Sequence, residues 1–215
     1  VFARTNIGAE TEPDSGYYFS WGEQQGWNVT GTSLTKDNCV QYDKDGRPTG
    51  LNWESRSFTE NGWPLYGQDI DDFQGIVSLY CNGQTYGDAA TYNWGDGWKM
   101  MDNELQNAFH IYRDGIPGTV TIGSVSLYIE WCSPIDGVYG VKLTNRTLDK
   151  SIFIPAAGML CDSSTSSSVT NGTCWSSTPA SLERGMHISF YREGAAVFAY
   201  PRYIGFTIRP VAEIR

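Results

Sequence analysis

The sequence predicts an α+β domain that is rich in strands, with one main helix and long loops. Three observations predict this class. Aromatic residues make up 14% of the chain and Gly contributes 24 of its 215 residues, a composition typical of strand-rich, loop-rich domains. Apolar and polar residues alternate near both ends, which indicates strands with one covered face. Only one stretch has apolar residues at helical spacing. The length of the chain suits a single domain over residues 1–215.

The first hundred residues contain few regular signals. Val1 to Ile7 and the aromatic run Tyr17 to Trp21 are predicted to be short strands, with a tight turn between them at Pro13 to Gly16. Gly22 to Gly87 shows no sustained period, so we expect short strands or turns held by scattered aromatic residues. Two acidic clusters lie in this region, Asp43-Lys-Asp45-Gly46 and Asp69 with Asp71 and Asp72. Neither forms a complete calcium-binding motif, and both are interpreted as solvated turns.

The helix is predicted over Asp102 to Arg113. Asp102 is a suitable N-cap residue. Apolar side chains recur at helical spacing after it, at Leu105, Ala108, Phe109 and Tyr112.

Two pairs of strands are predicted after the helix. Gly115 to Tyr128 is interpreted as a hairpin, because two β-branched runs, Thr119 to Ile122 and Ser124 to Ile129, are split by Gly123. Two further strands, Tyr139 to Leu143 and Ser151 to Ile154, are joined by a polar turn at Asn145 to Lys150.

The C-terminal third carries the predicted working surface. Met186, Ile188 and Phe190 alternate with polar residues, and Glu193-Gly194 marks a turn into the next strand, so this segment is predicted to be a hairpin. The residues on its polar phase are predicted to face outward and to bind the ligand, since exposed aromatic and Arg side chains give large contact areas. These residues are His187, Ser189, Tyr191, Arg192, Phe198, Tyr200 and Arg202.

Five cysteines in a loop-rich chain favour an oxidising compartment. Cys161 and Cys174 flank a Ser/Thr-rich loop and are predicted to form a disulfide if the protein is exported. Their spacing equally fits two neighbouring strands with free thiols. A Cys39–Cys81 pair is a second possibility, which would leave Cys132 as a buried free thiol.

Catalysis and cofactors are not expected. Neither His110 nor His187 lies beside a nucleophile motif, and no phosphate-binding Gly loop or HExxH motif is present. The cysteines and histidines form no zinc-binding pattern, so no metal is expected.

The net charge of −9 argues against nucleic acid as a partner, because nucleic acid requires a basic face. No apolar run approaches the roughly 18 residues of a membrane span, so insertion into a membrane is not expected.

Several blocks resemble a known family in the order in which they occur. They are ARTNIGAETEPDSGYYFSWGE from Ala3, DAATYNWGDGWKM from Asp88, EWCSPIDGVYGVKLTNR from Glu130, and FIPAAG, CWSSTP and YIGFTIRPV in the C-terminal third. These blocks resemble the Fibrobacter succinogenes major paralogous domain family of surface proteins in gut Bacteroidetes. The segment after Trp98 departs from the family pattern, which has Pro and Thr where this chain has Met101 and Asp102.

The resemblance implies a C-type-lectin-like fold, related to the variable proteins of diversity-generating retroelements. It further implies that Phe2 to Ile7 pairs with Ile204 to Val211. It also implies that the tryptophans in the resembling blocks are packing residues, namely Trp21, Trp94, Trp98 and Trp175. Arg209 is interpreted as a structural ion-pairing residue.

Two functions from different classes follow. The first is a non-catalytic module at the cell surface or on a virion tail fibre, binding a protein or glycan through the C-terminal hairpin. The second is a structural domain of a larger surface, pilus or tail-fibre assembly, with no ligand of its own. An exposed aromatic and Arg cluster on Gly185 to Tyr203 would favour the first, and a flat polar surface there would favour the second.

Overall fold

The computed structural model describes residues 1–24, 26–27, 80–81, 84–85, 88–161, 164–166, 170–180, 184–202 and 204–212. Among these residues strands predominate over helices, which confirms the predicted β-rich character. The strands are β1 (Tyr80–Cys81), β2 (Gln84–Thr85), β3 (Trp98–Met100), β4 (Gly118–Ile122), β5 (Val125–Ile135), β6 (Val138–Asn145), β7 (Lys150–Pro155), β8 (Met159–Cys161), β9 (Ser164–Ser166), β10 (Asn171–Pro179), β11 (Arg184–Tyr191), β12 (Gly194–Pro201) and β13 (Pro210–Ala212). The helices are α1 (Ala89–Trp94), α2 (Asn103–Asn107) and a 3-10 helix (Ala108–Ile111). The predictions for the two acidic clusters and for Cys39 lie outside the described residues.

A four-stranded antiparallel sheet has the order β4-β5-β6-β7. Gly123 turns the chain between β4 and β5 with a φ of 59°, a backbone conformation that glycine adopts without strain. The turn between β6 and β7 is closed by the Asn145 side chain, which accepts hydrogen bonds from the amides of Thr147 and Leu148. The predicted hairpin and the predicted strand pair are therefore both confirmed.

The C-terminal hairpin belongs to a three-stranded antiparallel sheet, in which β11 lies between β10 and β12. The turn of the hairpin is formed by Arg192 and Glu193, and Gly194 already pairs with Tyr191 in the ladder. Gly194 lies close to the backbone of the segment after the 3-10 helix, where a Cβ would approach the Tyr112 carbonyl to 2.7 Å. A side chain at position 194 would thus push the hairpin off its neighbour.

The predicted helix is present in a shorter form. Asp102 caps α2 by accepting a hydrogen bond from the amide of Leu105 at 2.8 Å, and the chain continues as the 3-10 helix only as far as Ile111. Sequence analysis missed α1, which is capped by Asp88 through the amide of Thr91. Burial raises the pKa of the Asp88 carboxyl, and its bonds to backbone amides, including that of Met100, oppose this shift.

The two termini lie together, as predicted. The amide of Ala3 donates to the carbonyl of Pro210 at 2.8 Å, and the amide of Ile7 donates to that of Ile208 at 3.1 Å. The N-terminal segment forms an isolated bridge at Phe2 and not a continuous strand, because hydrogen bonds join it to its neighbour only at intervals.

Buried hydrogen bonds of Arg209 stabilise the pairing of the two terminal segments. Its guanidinium is fully buried and donates to the carbonyls of Ala3, Arg4 and Phe153 and to the side-chain oxygen of Asn6. The predicted structural role agrees with this geometry, but the hydrogen-bond acceptors are neutral oxygens and not a carboxylate. Burial accordingly lowers its pKa to about 10.

Two apolar clusters lie on opposite faces of the three-stranded sheet. One contains Cys174, Ile188 and Phe190 together with residues of the four-stranded sheet. The other contains Trp175 of β10 with Trp21 and Phe206. Trp21 and Trp175 are fully buried, as expected of packing residues, whereas Trp94 and Trp98 are half-buried and pack edge to face, with ring centroids 5.0 Å apart.

The predicted disulfide is absent, because Cys174 is a free and fully buried thiol. Its Sγ lies 3.6 Å from Oγ1 of Thr207. The alternation of β10 places Cys174 inside the apolar cluster of Ile188 and Phe190. Cys132 is also a free thiol, but it is half-buried. None of the helices that the structure describes has the length and apolar character required to span a bilayer.

Candidate functional site

A pocket of about 400 Å³ opens on the face of the three-stranded sheet that carries His187. Its floor comes from all three strands, and two segments outside the sheet, one of which includes the start of β8, supply its walls. The lining residues are Asn171 and Thr173 of β10, His187 and Ser189 of β11, Phe198, Ala199 and Tyr200 of β12, and Gly158, Met159 and Phe206 of the walls. The volume falls within the roughly 300–1,000 Å³ of small-molecule sites.

The first wall is fixed at Gly158. This residue has a φ of 67°, the left-handed region that glycine adopts without strain. Its amide donates to the carbonyl of Asn171 at 2.7 Å, and its carbonyl accepts a hydrogen bond from the Thr173 hydroxyl. The wall is therefore tied to β10 through two residues of the pocket itself.

The second wall is joined to the first. Leu160 and Gly205 exchange both backbone hydrogen bonds, at 2.8 and 2.9 Å, which places Met159 and Phe206 side by side. Phe206 also exchanges both backbone hydrogen bonds with the buried Phe19. The pocket is thus formed by backbone that is already paired, so its shape exists before any ligand binds.

His187 lies at the centre of the floor and is only 3% exposed. Its imidazole stacks on Phe206 with ring centroids 4.3 Å apart and an interplanar angle of 26°. The edges of Trp175 and Tyr200 contact it at centroid distances of 5.8 and 5.5 Å. Its Nδ1 atom is buried and has no hydrogen-bond partner among the described residues, an exception to the pairing of most buried polar atoms.

The imidazole is neutral at physiological pH. Burial lowers its pKa to about 4, and a hydrogen bond with the Phe198 backbone opposes this shift without cancelling it. None of the other described lining residues has an ionisable side chain that is charged near neutral pH. The described part of the pocket is therefore uncharged, although the whole chain has a net charge of −9.

Four of the seven predicted ligand-binding residues line this pocket: His187, Ser189, Phe198 and Tyr200. Tyr191 lies on the same face of β11 but closer to the turn, and Arg192 lies in the turn itself. Arg202 is elsewhere, because its guanidinium lies over the ring of Trp21 at 4.2 Å.

The predicted exposure is wrong for His187, Ser189 and Arg202, which are at most 5% exposed. The predicted register is correct, since His187 and Ser189 do share a face that is opposite to Ile188 and Phe190. That face is covered at one end by Phe206, which lies outside the sheet, while Trp175 is the cross-strand neighbour of His187 on β10. Alternation indicates which residues share a face, but it does not indicate what covers them.

The wall residues were not predicted as site residues. Gly158 and Phe206 lie in sequence blocks that otherwise contribute to the core, and no motif marks them. The apolar run that ends in Gly158 is the one available signal, since a glycine directly after such a run often adopts a positive φ.

The arrangement contains no set of groups for metal binding. Within the described residues, no three His, Cys, Asp or Glu side chains are grouped closely enough to hold a metal ion. The Thr173 hydroxyl is directed to the Gly158 carbonyl and not to the imidazole. The chemistry available at the pocket floor is hydrogen bonding and aromatic contact.

Comparisons with protein-family models, with curated proteins and with solved structures found no match.

Proposed function

We propose that the chain is a non-catalytic adhesion module that binds a protein or glycan on the surface of another cell. The binding face is the pocket side of the C-terminal hairpin. The observation that carries the proposal is the pocket itself, which is lined by the side chain of Phe198, 47% exposed, next to the imidazole of His187. Exposed aromatic groups beside a preformed cavity are typical of binding sites.

The non-catalytic part of the proposal is supported by the described surroundings of His187, which are aromatic rings and the Phe198 backbone. A histidine that activates a nucleophile forms a hydrogen bond with it, and the Nδ1 atom here has no partner among the described residues. A pKa of about 4 also makes the imidazole a weak base at neutral pH.

We further propose that the fold is C-type-lectin-like and that the module acts outside the cell, on a cell surface or a virion tail fibre. The paired terminal segments support the fold, because the N- and C-terminal strands of C-type-lectin-like domains pair. The family resemblance of the C-terminal blocks supports the location.

The test is a binding assay with fluorescently labelled protein on panels of bacterial and epithelial cells. The assay compares the wild type with Phe198→Ala and with Leu148→Ser. Leu148 is a suitable control, since it is 65% exposed and lies in the turn between β6 and β7. We expect Phe198→Ala to reduce binding at least tenfold and Leu148→Ser to leave it unchanged. Equal binding by both variants, or no binding by the wild type to any cell, would contradict the proposal and favour a structural role.

A further inference from the structure

We propose that an extended segment of a partner protein adds a strand to the open edge of β12 and places an apolar side chain in the pocket. This inference rests on the proposed function and names the kind of partner for the same site. Three features of the described residues carry it: an outward-facing amide at Ala199, apolar side chains where the pocket is accessible, and an exposed Arg184 at the same edge.

The outer edge of β12 is paired at its start and open further along. β12 is the last strand of its sheet, so every second residue directs its amide and carbonyl away from β11. The outward amide of Ala195 donates to the carbonyl of Tyr112 at 2.8 Å. The outward amide of Val197 donates to Nε2 of His110 at 3.1 Å. Ala199 is the next outward-facing residue, and its amide has no hydrogen-bond partner among the described residues.

The open amide borders the pocket. The side chain of Ala199 lies on the opposite phase of β12 from Phe198 and Tyr200, so Ala199 lines the pocket through its backbone. Unpaired backbone groups at a sheet edge bind extended peptides by strand addition. Alternate side chains of the added strand then lie on the same face as Phe198 and Tyr200, which is the face of the pocket.

The accessible part of the pocket favours an apolar side chain. Three polar residues of the floor are at most 5% exposed, namely Thr173, His187 and Ser189. The described lining side chains that remain accessible are aromatic or apolar except that of Asn171, since Phe198 is 47% exposed and Met159 and Tyr200 are half-buried. An apolar side chain gains by leaving water for such a surface, whereas the hydroxyl groups of a sugar would lose hydrogen bonds there.

Arg184 gives the open edge a positive charge. It is exposed, and its Nη1 donates to the carbonyl of Ala199 at 3.2 Å, which places the guanidinium at the outer edge of β12. No carboxylate among the described residues forms an ion pair with it. A carbonyl oxygen accepts two hydrogen bonds, so this contact leaves room for an added strand. We therefore expect the partner segment to combine an apolar anchor with an Asp or Glu that pairs with Arg184.

The experiment selects binders from a phage-displayed library of random 12-residue peptides on immobilised wild-type protein. Enriched peptides are synthesised with a fluorescent label, and their affinities for folded variants are measured by fluorescence polarisation. Ala199→Pro removes the outward amide hydrogen and keeps the ladder with β11, because Ala199 donates no hydrogen bond to that strand.

Thr119→Pro is the matched control on the edge of the other sheet. Ile122 and Val125 flank a two-residue turn and exchange hydrogen bonds, so Thr119 of β4 directs its amide outward. β4 contributes no residue to the described lining of the pocket. The two proline variants therefore make the same backbone change at two different edges.

We expect the enriched peptides to share an aromatic or large aliphatic residue and an acidic residue at a fixed spacing. Ala199→Pro and Phe198→Ala should each weaken their binding by about tenfold or more, and Thr119→Pro should leave it unchanged. Arg184→Gln should weaken it about twofold to fivefold, the size of an exposed ion pair.

If Ala199→Pro fails to fold, the backbone of the peptide is changed instead. N-methylation removes one amide hydrogen at a time and keeps every side chain. Binding should be lost where the methylated residue faces β12 and retained at the alternate residues, because an added strand uses only every second amide on one side.

Three outcomes would overturn the inference. The first is that no peptide is enriched. The second is that folded Ala199→Pro, or every N-methylated peptide, binds as well as its parent. The third is that binding of the wild type to cells survives protease treatment of those cells and is lost after periodate oxidation of their glycans. That third result would leave the adhesive function intact with a glycan ligand. Conversely, peptide binding that depends on Ala199, with no binding to any cell, would support the strand addition and refute the adhesive function.

Discussion

The two faces of the three-stranded sheet bury their residues in different ways. On one face Cys174, Ile188 and Phe190 are completely buried and pack against apolar residues of the four-stranded sheet. On the other face His187 and Ser189 are nearly as well buried, yet this face is polar and borders a pocket. His187 and Ser189 are shielded from solvent, but Phe198 on the same face is 47% exposed at the pocket, so only the first face is filled. The difference separates residues that hold the sheet in place from residues that leave room for a ligand.

The filled face should be the more sensitive to truncation. Phe190→Ala removes a ring that packs edge to face on Phe109, with centroids 5.4 Å apart. We expect the free energy of unfolding to fall by about 3–5 kcal/mol, because a cavity remains in a face without room to collapse. Urea unfolding followed by tryptophan fluorescence measures the change. A loss below about 1 kcal/mol would show that this face is not tightly packed.

The pocket face should respond to pH instead. The pKa of His187 is about 4 in the folded state and close to 6.5 when unfolded, so the unfolded chain binds more protons between these values. Stability is therefore complete above pH 6.5 and should fall by about 3 kcal/mol as the pH drops to 4. Carboxylates add their own pH dependence, so the measurement is the difference between wild type and His187→Gln. Parallel pH profiles for the two proteins would disprove the assignment.

Substitution in the wall of the pocket should cause an intermediate loss of stability. Gly158→Ala places a side chain at a φ of 67°, which costs about 1–2 kcal/mol for an L-residue. Gly118→Ala is the control, since a Cβ there would meet only the Ile111 carbonyl at 3.9 Å. Thermal melts of the two variants should show a clear decrease for Gly158→Ala and a change within about 0.5 kcal/mol for Gly118→Ala. Equal melting temperatures would mean that the wall does not require glycine.

The smallest effect on stability is expected at the pocket rim. Phe198 is 47% exposed, so Phe198→Ala should lower the free energy of unfolding by about 1 kcal/mol or less. The comparison with Phe190→Ala uses the same substitution on the two faces of the same sheet. If both variants lost similar stability in urea, Phe198 would be part of the core and not of a binding surface.

Much of the secondary structure could be predicted because local chemistry determines it. Asp102 caps a helix with its own side chain, and Gly123 turns a hairpin through its own backbone freedom. Helix α1 has the same kind of cap at Asp88, but its six residues are too short to show an apolar stripe. The sequence therefore did not indicate α1 because the helix is short.

The site could be predicted only in part because it is made by distant segments. Alternation correctly placed His187 and Ser189 on one face with Phe198 and Tyr200. The burial of His187 depends on Phe206, and one wall of the pocket depends on Gly158. Both residues lie outside the three-stranded sheet and reach the site through tertiary packing. No local pattern contains that information. The free thiol of Cys174 has the same origin, since its place in the core was decided by strand register.

The hydrogen bonds of Arg209 have a consequence for the order in which the chain folds. Its hydrogen bonds reach Ala3 and Arg4 across sequence separations of 206 and 205 residues. During synthesis the ribosome completes those early carbonyls long before their donor exists, and contacts of such long range form slowly. The carbonyls of Ala3 and Arg4 therefore remain without their Arg209 donor until that residue has been translated.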